Sequence, residues 1–266
     1  MGGKMVLVTG GAGYIGSHIC KALSRQGFSP VVYDNLSTGN KEAVKWGALE
    51  QGDIRDRDRL AAVFKTHDPL AIIHCAALIQ VGESVAEPAK YYDNNVFGSF
   101  CLLETARAHG VRHMVFSSTA AVYGVPQTTP ITEDHPRNPI NPYGHTKLAM
   151  ENMIRDYAHA YGLGYAILRY FNAAGADPEG DLGTAYPVYT HLIPLITQAA
   201  SGVTPAIKMF GSDYPTPDGT AIRDYIHIAD LAEAHVRALA HLLAGKGNLT
   251  LNLGTSRGHS VQETVD

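Results

Sequence analysis

Tyr143 and Lys147, four residues apart in NPYGHTK, are the residues of this chain best suited to acid/base work on a hydroxyl group. A phenolate can take a proton from an alcohol, and a nearby ammonium favours the phenolate. Tyrosine's ordinary pKa of about 10 must fall for this to occur near neutrality. The spacing alone is weak evidence, because a chain with 14 Tyr in 266 residues meets it by chance about half the time. Its surroundings strengthen it. Asn141 suits a helix N-cap and Pro142 the first helical position, which puts Tyr143 and Lys147 one turn apart on one face. Upstream, the strand-like run 112–117 leads into SSTAAVYG. Thr119 then falls at the carboxyl end of a sheet, where open α/β folds bind ligands, and can share the same substrate hydroxyl.

The elements that must hold these groups alternate. Strand-like runs lie at 4–9, 30–34, 48–52, 71–75, 112–117 and 164–170, several of them apolar at consecutive residues as in strands covered on both faces. Helical patterns at 14–26, 56–66, 88–109 and 142–161 lie between them. Repeated βαβ of this kind predicts an α/β fold: a doubly wound, Rossmann-like parallel sheet with a smaller, incomplete substrate-binding domain. Residues 172–222 are rich in Gly, Pro, Asp and Tyr, with one helical stretch near 191–201, and read as loops over a cleft. Regular pattern returns at 224–228, 229–243 and 248–253. The expected division is 1–171 for the dinucleotide-binding domain, with 224–255 returning to it, and 172–223 with 256–266 for the substrate part.

Strand 4–9 runs into GGAGYIG and then a helical pattern. Gly10, Gly13 and Gly16 provide a tight turn, close backbone approach to a pyrophosphate, and close helix–strand packing, with the phosphates on the helix N-terminus. Asp34 ends the next strand, 18 residues after Gly16. A carboxylate there accepts ribose hydroxyls and repels a 2′-phosphate, so NAD is favoured over NADP. Asp53, in GDIRD, can meet the adenine amino group or cap a helix; both readings stay open. Lys147 can also hold the nicotinamide ribose.

Composition narrows the class. A net charge of −4 and pI near 6.3 argue against a nucleic-acid or anionic-membrane partner. No apolar run is long enough to span a bilayer. Cys20, Cys75 and Cys101 lie in apolar stretches without CxxC, the pattern of buried thiols in a reducing, cytoplasmic compartment. The 13 His form no HExxH and no metal-ligand spacing, so no metal is expected.

The glycine loop, Asp34, Thr119, Tyr143 and Lys147, in this order, resemble the extended short-chain dehydrogenase/reductase superfamily. Within it, GGAGYIGSH, YDNLSTG, GDIRD, VGESV, YYDNNV, SSTAAVYG, NPYGHTK, RYFNAAGADPEGDLG, THLIP and DGTAIRDYIHIADLAEAH are similar to the UDP-glucose 4-epimerase family. These strings cover nearly the whole chain. The resemblance implies that Tyr143 removes the proton of a UDP-hexose 4-hydroxyl while hydride passes to tightly bound NAD. The 4-keto sugar then turns about its pyrophosphate link, and hydride returns to its other face. It further implies that Tyr14, Ile15, Asp34, Asn35, Leu36, Ser37, Thr38, Gly39, Asp53, Ile54, Asn94 and Phe171 line the cofactor, with Cys75, Ala76, Ala77, Leu78 and Ile79. Asn172, His191, Leu192, Lys208, Met209, Phe210 and Arg223 would face UDP.

Arg223 suits a diphosphate oxygen, with a surface ion pair to a neighbouring Asp as the other reading. Phe210 packs on uracil or belongs to the core. Ile79 stands where some members carry lysine, which marks a subfamily difference. A homodimer through 88–109 and 142–161 rests on the resemblance alone. Family members run on beyond Asp266 with more of the sugar pocket and another diphosphate arginine. Ser260 and Glu263 have capping-box spacing with only three residues following, so the expectation is an early stop, with NAD binding kept and turnover impaired. Two other functions compete. A 4,6-dehydratase or decarboxylase uses the same fold, but such dehydratases place Asp-Glu where this chain has Ala120 and Ala121. A non-catalytic NAD-binding module would not need both Tyr143 and Lys147.

Overall fold

The computed structural model describes residues 4–185 and 189–266. Its first half runs β1 (Lys4–Thr9), α1 (Tyr14–Arg25), β2 (Phe28–Asp34), β3 (Ala48–Gln51), α2 (Arg57–His67), β4 (Ala71–His74), α3 (Val81–Ala86), α4 (Pro88–Tyr91), α5 (Gly98–Ala108) and β5 (His113–Thr119). Then come α6 (Pro142–Tyr161), β6 (Gly164–Tyr170), β7 (Asn172–Ala174), α7 (Leu192–Ala200), β8 (Ile222–His227), α8 (Ile228–Leu243), β9 (Leu249–Leu253), β10 (Gly258–Ser260) and α9 (Val261–Val265).

Seven strands form one parallel sheet in the order β3-β2-β1-β4-β5-β6-β9. Consecutive apolar residues suit strands covered on both faces. In β1, Leu7 joins a core with Phe64, Leu102, Phe116 and Met150, while Val6 and Val8 join the opposite core with Ile19, Leu23, Val236 and Leu239. The chain order reverses between β1 and β4, which opens the crevice where such sheets hold ligands. Pro30 lies inside β2 without breaking it. At that residue β2 pairs with β1 only, since its pairing with β3 begins at Val31.

Several expectations change. The helical run 88–109 is interrupted by a π-helical segment, Tyr92–Phe97, which carries two poor helix formers, Asn94 and Asn95. Helix α3 went unpredicted because its six residues are too few to show a period. The loop region opens with a short strand, β7, which pairs with β8; β8 also pairs with β10. The expected strand 224–228 therefore belongs to this small sheet, and the chain rejoins the large one only through α8 and β9. Cys20 and Cys101 are buried, but Cys75 is partly exposed because β4 ends at His74 and Cys75 begins the cleft wall. Asn141 does cap α6, its Oδ1 accepting from Gly144 N–H at 2.9 Å. Ser260 and Glu263 make both bonds of a capping box at α9.

Two histidines are locked neutral inside. Ser99 spends its proton on the Asn95 carbonyl, so His74 donates to Ser99 through Nε2 and accepts from Thr9 through Nδ1. His235 donates through Nδ1 to the Leu231 carbonyl and accepts from Ser117 through Nε2. Burial pushes His74 down to about 3 and His235 down to about 4. In the unfolded chain both take up protons at about 6.5. Unfolding therefore binds protons from about pH 6.5 down to about pH 4 at His235 and about pH 3 at His74, and stability is complete above that window and falls as pH drops through it. Each histidine contributes a slope of up to ~1.4 kcal/mol per pH unit. Urea unfolding at pH 7.5, 6 and 4.5 should show the decline, and His235→Gln should reduce its slope; a flat midpoint would contradict the assignment.

Candidate active site

The cleft at the carboxyl edge of the sheet brings together every sequence-predicted site residue except Leu36 and Asp53. Its floor is the turn after β1. Gly10 has φ +71°, and a Cβ there would lie 2.7 Å from Ala76 N. A Cβ on Gly16 would lie 2.2 Å from the Gly10 carbonyl, so this glycine is required by helix–strand packing. Gly13 differs: a Cβ would meet only the Gly10 carbonyl, at 3.2 Å, within the protein. Gly13 caps α1 without a side chain, and the first turn carries no acid. The uncapped N–H donors and positive helix end fit an anionic diphosphate.

Asp34 forms the next wall. Its carboxylate accepts from Ala12 N–H at 3.0 Å and Leu36 N–H at 2.8 Å, which ties β2 to the glycine turn. Burial pushes its pKa up, and the two N–H groups oppose that push. Leu36 has φ +60° and contributes its backbone, while its side chain packs on the core. Asp53 is not the helix cap; Asp56 caps α2 by accepting from Arg59 N–H. Asp53 is instead held by Arg55 through backbone and guanidinium and by Asn35, and the Arg55 bonds keep its carboxyl well below the usual range.

Thr119, Tyr143 and Lys147 converge on the same cleft from β5 and α6. Thr119 hydrogen-bonds the Tyr143 hydroxyl, while its Oγ1 accepts from Ala121 N–H at 3.1 Å. Lys147 donates to the Ser117 carbonyl at 2.9 Å and lies 4.9 Å from the centre of the Phe116 ring. Burial pushes Lys147 down to about 8. Burial also pushes Tyr143 up to about 12, with the Thr119 bond pulling the other way. The expected lowering of the phenol by the lysine is thus not found in the protein alone: loss of solvent dominates, and the Thr119 bond is what opposes it.

Sequence reasoning missed the residues that aim this group. Asn95 accepts from Leu78 N–H at 2.8 Å and donates to the Leu78 carbonyl and to Thr146 Oγ1, which in turn donates to the Tyr143 carbonyl. Ser84, fully buried on α3, accepts from Tyr143 N–H at 3.2 Å. A pair of asparagines inside a helical pattern was the available signal for the first; Ser84 carried none. Glu151, two turns beyond Tyr143, pairs with Arg169 at 2.6 Å and accepts from Ser118 Oγ at 2.7 Å. Arg169 also reaches the Tyr123 hydroxyl at 2.7 Å.

On the far side, Phe210 is 83% exposed, so it is no core residue. Arg223 has no ion pair among the described residues; it donates to the Ile222 carbonyl and lines the cleft. Asn172 donates to the Asp224 carbonyl from the start of β7. His191 and Leu192 stand at the start of α7.

Residues 6–254 match the NAD dependent epimerase/dehydratase family. The chain belongs to that family. It is 56% identical over 261 residues to a UDP-glucose 4-epimerase of Rhizobium meliloti (strain 1021), covering 98% of this chain and 80% of that protein. Among solved structures, the UDP-glucose 4-epimerase from Brucella ovis in complex with NAD superposes with a TM-score of 0.95 at 55% identity, over 98% of this chain and 80% of the other. That from Bifidobacterium longum in complex with NAD+ and UDP does so with a TM-score of 0.92 at 39% identity, over 97% and 80%. The cradle fits the family's cofactor: an uncapped helix end after a glycine turn, and a buried carboxylate at the end of the second strand.

Removing Glu151 leaves Arg169 charged and unpaired in the interior. Glu151→Ala should destabilise the protein by ~3–5 kcal/mol, and replacing both partners by apolar residues should cost less than either single change. Urea unfolding of the three variants measures this; additive losses would contradict it.

Proposed function

We propose that this chain is an NAD-dependent UDP-hexose 4-epimerase that interconverts UDP-glucose and UDP-galactose through a 4-keto sugar. The observation that carries the reading is the convergence of Thr119, Tyr143 and Lys147 on the cleft whose floor is the glycine turn and Asp34. Gly13 and the first turn of α1 would hold the diphosphate of NAD, Asp34 an adenosine ribose, and Lys147 the other ribose. When bound, NAD supplies a hydride acceptor that later becomes the donor, and in its oxidised form a positive ring that favours the Tyr143 phenolate.

The chain's own groups do the rest. With its phenol pushed up to about 12 by burial, Tyr143 holds its proton at neutral pH until a positive charge stands beside it. The phenolate then takes the sugar 4-hydroxyl proton and returns it after the keto sugar has turned over. Thr119 orients the same oxygen. Arg223 suits the substrate diphosphate, and the exposed Phe210 ring suits the uracil face. Ala120 and Ala121 follow Thr119 in place of an acid pair, which disfavours elimination of water.

The reading extends to a homodimer and to the cytoplasm. Exposed Phe97 and Tyr161 on the helices flanking the sheet support the first, and three free thiols support the second. No described helix is long and apolar enough to cross a membrane.

Tyr143→Phe should lower interconversion of UDP-glucose and UDP-galactose by roughly 10²–10⁴-fold while NAD still binds. Undiminished turnover would overturn the tyrosine's role, and a 4-keto-6-deoxy product from the unaltered chain would favour the dehydratase. Asp34→Ala should narrow the preference for NAD over NADP, read by titrating both against the protein.

A further inference from the structure

Lys21 lies on the buried side of α1, two turns beyond the glycine turn, and is only 4% exposed. Its ammonium contacts three carboxylates from one segment: Asp177 at 2.6 Å, Asp181 at 2.8 Å and Glu179 at 3.0 Å. Burial alone would push this lysine down; the carboxylates outweigh burial and hold it above its ordinary range. These three acids, grouped closely enough for a metal ion, thus already surround a cation. The face of the Trp46 ring lies 5.2 Å from the same ammonium.

The segment that brings these acids is internally built. Asp177 N–H donates to the Leu182 carbonyl, Gly180 N–H to the Asp177 carbonyl, and Asp181 N–H to Asp177 Oδ2. It is fastened at further points. The Tyr14 hydroxyl donates to the Gly175 carbonyl at 2.6 Å, Lys45 donates to the Asp181 carbonyl at 2.7 Å, and Arg25 pairs with Glu179. Just beyond these anchors, Gly183 and Ala185 close a small cavity whose other walls are Ala12 and Gly13 of the glycine turn, Tyr14 and Ser17 of α1, and Thr38, Asn40 and Ala43 of the loop after β2. The segment therefore crosses over the helix end that suits a diphosphate.

We infer that residues 175–185 form a strap over the cofactor and that Lys21 is its latch, setting how fast NAD leaves. The inference rests on the NAD reading above. The strap lies against the glycine turn, and lifting it away separates Lys21 from three carboxylates. Those contacts are made from outside the cleft, so the latch acts on cofactor exchange and touches no reacting atom.

The test uses the whole chain loaded with radiolabelled NAD and chased with unlabelled NAD. Lys21→Met should raise the NAD dissociation rate by about tenfold or more, within the usual range of coupling between distinct sites. Lys21→Arg should retain most of the slow release. The paired change Glu179→Gln with Asp181→Asn alters acids on the outer side of the strap; it should raise the rate by a smaller factor and keeps the test decisive if Lys21→Met does not fold. Wild-type dissociation rates in all folded variants would overturn the latch. Failure of the unaltered chain to bind NAD would instead overturn the functional reading on which it rests.

Discussion

Tyr143, Lys147 and Glu151 recur at four-residue intervals along α6, and the last of them is pinned by Arg169 in the interior. Taking two charges out of water is costly unless geometry and further hydrogen bonds compensate. Here Ser118 and Arg155 complete the carboxylate, and Tyr123 and the Glu133 carbonyl complete the guanidinium. A helix held in this way cannot roll. Because residues four apart share a face, fixing Glu151 against β5 and β6 also fixes the direction in which Tyr143 and Lys147 point. Ser118 bonds to Glu151 and precedes Thr119, so one ion pair aligns Thr119 on β5 with Tyr143 and Lys147 on α6.

Burial acts on that group in a consistent direction. It favours the neutral form of each member, pushing the Tyr143 phenol up and the Lys147 ammonium down. Loss of solvent thus favours the protonated phenol. The buried network from Thr9 through His74, Ser99 and Asn95 to Thr146 carries no net charge, and it joins the cleft wall at Leu78 to the backbone of Tyr143.

Much of this was legible in the order of residues. Strands buried on both faces announce themselves as apolar runs, and the Asn141–Pro142 start of α6 is a local signal that the fold obeys. Gly10 and Gly16 were readable because each answers a demand that no larger residue meets, a left-handed φ against Ala76 at Gly10 and close packing on the turn at Gly16. What stayed hidden was short or long-range. Helix α3 and strands β7 and β10 span six, three and three residues, too few for a period to show. The placement of β8 in a separate sheet depends on partners from both sides of the sequence, Asn172–Ala174 and Gly258–Ser260.

By itself, then, the sequence determined the chemistry on offer: a phenol and an amine on one helix face, a hydroxyl at a strand end, a glycine turn and a carboxylate at the end of the second strand. These depend on residue type and local spacing. Only the tertiary structure decided which charges meet and which lose their water. It pairs Glu151 with Arg169 and Lys21 with Asp177, and it frees Arg223 of any described ion pair and turns Phe210 outward. Those outcomes follow from desolvation and contact between residues far apart in the chain, which no local pattern records.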